Sequence, residues 1–225
     1  RSPLHQPAHT SRRWAWRGAG LGLALALLTQ APAAWLAQAL THASGERLLW
    51  QDPQGTVWNG SAQWALSDGA TRHPSAAQAP KAMLPSRVQW QLWPHIDWTH
   101  TRIGMRATVT AACCLAQPVR MDIAPMWRGM QVQVSDHISH WPAALLVGLG
   151  APWNTVQPDG QLQLHTHGLG WTLQAGRNSL QGNAELQWHH VSTQLATLRP
   201  LGSYRVRLQG GDTLALTLDT LEGSL

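Results

Sequence analysis

Apolar residues crowd together near the start of the chain and afterwards thin out into short alternating runs. Residues 14–40 read WAWRGAGLGLALALLTQAPAAWLAQAL, with no acidic residue and with Arg17 as the one charge. A bilayer-spanning helix needs about 20 mainly apolar residues, and residues 14–36 supply them, Gln30 being the one strongly polar group beyond Arg17. The pattern predicts a single N-terminal transmembrane helix carried by Trp14, Arg17, Leu23, Leu25, Leu27, Leu28 and Trp35, with the tryptophans at interfacial positions. Apolar spacing continues through Ala33, Ala34, Leu36, Ala39 and Leu40, so the helix is expected to leave the membrane unbroken and end near Gly45. A cleaved signal peptide is the competing reading, since residues 18–28 have the length of an apolar h-region, but Pro32 spoils the small-residue site at residues 31–33.

Beyond Gly45 the period changes from helical to extended. Residues 47–50 run into a turn signal, Asp52-Pro53-Gln54-Gly55, and residues 56–66 are expected to return as the hairpin partner. Residues 67–85 are polar, contain Pro74, Pro80 and Pro85, and predict a long loop. Val88, Trp90 and Leu92 alternate with Gln89, Gln91 and Trp93, which places the first three on one strand face. Residues 99–110, 121–123 and 130–135 predict further strands. One helix of the body is expected near Ser139, with Pro142 in its first turn, residues 143–149 apolar, and Gly150 and Pro152 as its stop. Residues 161–165, 170–173, 183–189, 203–208 and 213–218 alternate again. Their connections are short, so antiparallel neighbours in a meander are expected rather than βαβ crossovers. The fold class is therefore mainly β, antiparallel meander sheet(s) with one short helix behind a membrane helix. Residues 219–225 break off within strand-like sequence, an expectation of C-terminal truncation that would leave an open sheet edge.

Charge sets the orientation. Arg1, Arg12, Arg13 and Arg17 precede the first acidic residue, Glu46, so the formal charge of +5 is concentrated at the N-terminus and the rest is near neutral. The positive-inside rule then divides the chain into a cytoplasmic N-terminus (1–13), a signal anchor (14–36) and a periplasmic β-rich domain (37–225) at the inner membrane. No basic stripe remains to bind nucleic acid. Only 12% of residues are charged, Phe is absent, and 14 tryptophans supply the large apolar surface. Most of these fit a core, whereas Trp58, Trp64, Trp90 and Trp93 are the candidates for partner contacts.

Chemical motifs are sparse. Cys113 and Cys114 are adjacent, a spacing that strains a mutual bond, and are expected as two small apolar residues. Twelve histidines invite a metal site, and His165 and His167 share a strand face, with His137, His140, His189 and His190 as further donors. No HExxH zinc motif, no GxSxG elbow and no phosphate loop accompanies them. The expectation is a non-enzymatic protein with no catalytic, metal-binding or cofactor-binding residues.

Three strings gather these observations: GTVWNG at 55–60, GLGAPWNT at 148–155 and LRPLGSY at 198–204. Together, and with the PAAWLA of residues 32–37, they resemble protein N of the type II (general) secretion pathway, the GspN family. The resemblance implies an accessory inner-membrane protein of the machinery that exports folded proteins across the outer membrane. It also implies contacts with the inner-membrane platform, the outer-membrane secretin, or both. A second reading is a lipid- or lipoprotein-handling β-groove anchored in the inner membrane, for which a Leu- and Trp-lined meander is suited.

Overall fold

The computed structural model describes residues 10–69, 82–97, 102–195, 200–211 and 213–222. Two helices come first, α1 (Thr10–Thr29) and α2 (Ala33–Ala43). The unbroken helix expected over 14–36 and onward to Gly45 is thus divided. Thr29 Oγ1 turns back onto Leu25 O at 2.9 Å, and Pro32, extended at φ −65° and ψ 145°, caps α2 instead of continuing α1. A proline cannot donate to the preceding turn and disfavours helical backbone in the residue before it, here Ala31. Trp35 consequently lies on α2, away from the leucines of α1. Among the described residues no helix is long and apolar enough to cross a membrane.

The rest is one antiparallel sheet. Its strands are β1 (Leu48–Gly55), β2 (Asn59–Leu66), β3 (Ala82–Met83), β4 (Val88–Asp97), β5 (Arg102–Ala111), β6 (Val119–Met126), β7 (Gly129–Val134), β8 (His137–Pro142), β9 (Asp159–Gln174), β10 (Arg177–Ser192), β11 (Gly202–Gln209) and β12 (Ala215–Glu222). Spatial order follows chain order, β1-β2-β4-β5-β6-β7-β9-β10-β11-β12, with β3 added to β2 and β8 placed on β9 in series with β7. This is the expected meander, because short polar connections let each strand fold back on its predecessor.

Local differences have local causes. The expected turn at residues 52–55 is a bulge within β1, with Asp52 at φ 46° and a register shift between Gln51 and Gln54. The chain reverses instead at residues 56–58, where Thr56 N donates to Asn59 O at 2.9 Å and Asn59 N donates to Thr56 Oγ1 at 3.1 Å. Ser139, expected at a helix start, lies in β8, and the helix is a 3-10 segment, Ala143–Leu149, followed by a single α-turn, α3 (Trp153–Val156). Of the expected loop over 67–85, residues 82–83 form β3, while residues 70–81 lie outside those described, as do residues 99–101 of an expected strand. The segments 161–165 and 170–173 are one strand, β9, joined across a bulge opposite Gly182.

Cys113 and Cys114, expected as separate apolar residues, are bonded to each other. The β5–β6 turn accommodates the pair: Cys114 N donates to Ala111 O at 3.0 Å, and Cys114 O accepts from His140 N at 2.8 Å. Cys114 faces the core while Cys113 stays at the surface.

The core occupies one sheet face at the early strands. Ala33 of α2 covers Ala62 and Trp90, with Trp50, Leu92 and Val109 around them. Below, Leu145 of the 3-10 helix and Leu84 close over Val88, Ala111 and Cys114, with Trp64, Leu66 and Trp141 alongside. Trp50 packs tilted on Trp64 at 4.8 Å and edge-on to Trp90 at 5.3 Å between ring centroids.

Candidate interaction surface

Antiparallel register carries the apolar rows past the covered core. On β4 and β5, Leu92 faces Ala107 and Trp90 faces Val109. The same face continues through the Ala107–Met121, Met121–Val134 and Ile123–Val132 pairs. Val132 then faces Trp171, which faces Leu180. Further along β9 the row Leu164–Leu186–Val206–Leu218 crosses four strands. The β9 bulge keeps Leu169, Trp171 and Leu173 on the same side as Leu162 and Leu164, because one extra residue shifts the period-2 pattern by one. Among the described residues neither α2 nor the 3-10 helix reaches β11 and β12. Leu216 and Leu218 are each 65% exposed. Among the described residues β12 also has no neighbour on its outer side, which leaves a row of backbone donors and acceptors open.

The opposite face is polar and tied together by ions. Arg106 Nε meets Asp122 Oδ1 at 2.6 Å, and the hydrogen bond with Asp122 raises the arginine's pKa. Glu185 lies between Arg205 and Arg207, each at 2.9 Å, and Arg207 reaches on to Asp219 at 3.2 Å. Gln187 donates to the Glu185 carboxylate, which with Arg207 holds its pKa below the ordinary glutamate value.

The predicted partner tryptophans separate by placement. Trp90 is 3% exposed, and its Nε1 donates to Val57 O at 3.0 Å. Trp64 is half-buried against the core. Trp58 Nε1 donates to Leu28 O, the end of α1, at 2.7 Å. Trp93, on the polar face opposite Arg106, is 62% exposed and is the one of the four left open. The anchor residues Trp14, Arg17, Leu23, Leu25, Leu27 and Leu28 are all exposed along α1, with the Arg17 guanidinium over the Trp14 ring at 5.6 Å.

His165 and His167 do share a face, in an open groove of about 630 Å³ beside Asp136, Ile138 and Glu185. His167 Nδ1 is 2.6 Å from Asp136 Oδ2, and Asp136 also accepts from Gly168 N at 2.7 Å. The Gly168 hydrogen bond first, then His167, lowers the Asp136 pKa. His137 also borders the groove, its Nδ1 2.8 Å from Thr166 Oγ1. Among the described residues no three His, Cys, Asp or Glu side chains are grouped so as to hold a metal ion. The groove is a site of local ion pairing, and the apolar face with its open edge is the larger feature.

The family model for type II secretion system (T2SS), protein N, matches residues 46–225. The chain belongs to this family. The match takes in every strand from β1 to β12 and begins just after α2, so it is the sheet that carries membership. Membership makes the chain an accessory component of type II secretion, associated with other parts of that system. No curated protein and no solved structure matches it. Sequence patterning had given the apolar face, since alternation fixes which residues share a side. The extent of that face past the core, and the position of β12 at the rim, depend on strand order, which no local pattern encodes.

Proposed function

We propose that this family member works through protein–protein contacts of its sheet, as a non-enzymatic part of the secretion machinery held at the inner membrane by α1, with the β body in the periplasm. The observation that carries the reading is β12, a rim strand paired on one side with β11 and, among the described residues, open on the other, whose Leu216 and Leu218 extend the apolar face into solvent. A strand from an inner-membrane platform protein or from the secretin would pair with that edge and bury those leucines, the backbone supplying affinity and the alternate side chains specificity. Orientation follows from the arginines that precede the apolar run.

In vivo cross-linking from position 217 on β12, followed by identification of the adducts, tests it. Secretion components are the expected products. Leu216→Asp together with Leu218→Asp is expected to remove the adducts while a thermal melt stays unchanged. Adducts that persist in the folded double variant would refute the docking edge.

The uncovered row Leu164–Leu186–Val206–Leu218 also favours a second reading, an acyl chain laid along the sheet. Mass spectrometry of lipid extracted from the purified protein distinguishes the two: stoichiometric phospholipid supports carriage, and its absence leaves the protein-docking role.

A further inference from the structure

We infer that the hairpin tips at one end of the sheet form a rim that rests on an anionic lipid surface, an inference that relies on α1 being held in the membrane as proposed above. The rim follows from register. Asp97 pairs with Arg102, the last described pair of the β4–β5 hairpin, and Met105 pairs with Ile123 three residues further from that end. Met126 pairs with Gly129 at the β6–β7 tip, and Gly129 in turn faces Gln174, which pairs with Arg177 at the β9–β10 tip. The last described pairs of these three hairpins therefore lie at one level. The β1–β2 turn lies at the same end, lower along the strands, and that turn is where the first helix joins the body. Besides the bond from Trp58 to Leu28, Pro32 bridges Thr56, and Val57 N donates to Ala31 O at 2.8 Å.

The side chains at the tips are of the kind that headgroups take. Trp127 is 87% exposed and Ile103 70% exposed, although a turn can hold polar residues at no cost to the core. Arg128 follows Trp127 directly, and Arg177 opens β10. Both are exposed, and no ion pair engages either among the described residues. Indole prefers the interfacial layer of a bilayer, and guanidinium pairs with lipid phosphate. Each basic side chain close to an anionic leaflet strengthens partition by about fivefold. Asp97 is the acidic residue of the paired strand ends on this side, against Arg102, Arg128 and Arg177, whereas the opposite end carries Glu46, Asp159 and Glu222 against Arg47.

Spacing separates a membrane from a protein partner. From β4 to β10 the tips span six neighbouring strands at about 4.8 Å each, roughly 24 Å, as separate points rather than one apolar patch. A specific protein interface buries about 800 Å² on each side in continuous contact. A row of level points meets a plane.

The test uses the full chain reconstituted into vesicles of phosphatidylcholine with phosphatidylglycerol, carrying quencher-labelled lipid. An environment-sensitive fluorophore is placed by Asn178→Cys at a tip, by Gln117→Cys at the opposite end, or by Leu25→Cys on α1. Quenching is expected at 178 and 25 and not at 117. Trp127→Ser with Arg128→Glu is expected to lower quenching at 178 at least twofold and leave that at 25 unchanged, as is omission of phosphatidylglycerol. Quenching at 25 with 178 no more quenched than 117 would overturn the rim and leave the anchor standing. No quenching at 25 would overturn both. Shielding of 178 that appears only on adding a secretion component would assign the tips to a protein and overturn the lipid surface.

Discussion

Trp90 and Trp93 sit three residues apart on β4 and point to opposite faces, and that one difference sets their energetics. Trp90 is closed in by Ala33, Ala62 and Trp50, so Trp90→Ala removes most of a buried indole and its hydrogen bond to Val57. A loss of about 3–5 kcal/mol is expected in denaturant unfolding. Trp93→Ala touches no core and should stay within about 0.5 kcal/mol, a contrast that a single pair of melts checks. Glu185 offers a second measurable. Its carboxyl is held below the ordinary glutamate value by Gln187 and by Arg207 and Arg205. A folded value lower than the unfolded one means the contribution is fully present above the unfolded value and disappears as pH falls through the folded one. Glu185→Gln should therefore lower the melting temperature at pH 7 and have no effect well below pH 4. The neutral difference is expected at about 1 kcal/mol or less, since solvent screens the network. A difference that stayed constant from pH 7 to pH 2.5 would mean that packing, not charge, explains it.

At the scale of elements, the GTVWNG string acquires a physical reading. Gly55 stands at φ 86°, and Gly60 lies so close to its neighbours that an added Cβ would meet Trp90 Cζ2 at 2.5 Å, Gln54 O at 2.7 Å and Thr56 O at 2.8 Å. Two of those atoms are backbone, so the hairpin cannot yield cheaply. Gly60→Ala is expected to cost about 1–3 kcal/mol through overpacking, read as a lowered denaturant midpoint at unchanged slope. Strands were legible wherever apolar and polar residues alternate, as at Val88–Trp90–Leu92, since period 2 admits no helix. The turn was misplaced because Asp-Pro signals a reversal in isolation, whereas here the bulge absorbs it and the Thr56–Asn59 hydrogen bonds make the reversal later. The division of the apolar N-terminal run was legible in Pro32 but outweighed by its unbroken hydrophobicity. The Cys113–Cys114 bond depends on a turn whose shape is dictated by β8, a partner distant in sequence. The tips that carry Trp127 and Arg128 could be found only after register showed which turns share a level.

On the scale of the whole molecule, cover is unevenly distributed. The first strands are roofed by α2, the 3-10 helix and Leu84, and nearly every fully buried apolar side chain lies there: Ala62, Val88, Trp90, Ala111 and Cys114. Among the described residues the last two strands rest on cross-strand contacts within the sheet alone, and almost all of β12 is exposed. Local opening free energy scales with the apolar contacts an element would lose, so the sheet is expected to open from β12 inward and not as a unit. Native-state hydrogen exchange reads this directly. Amides of β4 should exchange at the rate set by global unfolding, and those of β12 orders of magnitude faster, with a weaker dependence on denaturant because little surface is exposed when one rim strand detaches. If a secretion component pairs with that edge, its addition should slow β12 and β11 while leaving β4 unchanged, because the bound strand supplies the missing hydrogen bonds only there. Equal protection of β4 and β12 in the free protein would show that the rim is already covered, and would remove the physical ground for a docking edge.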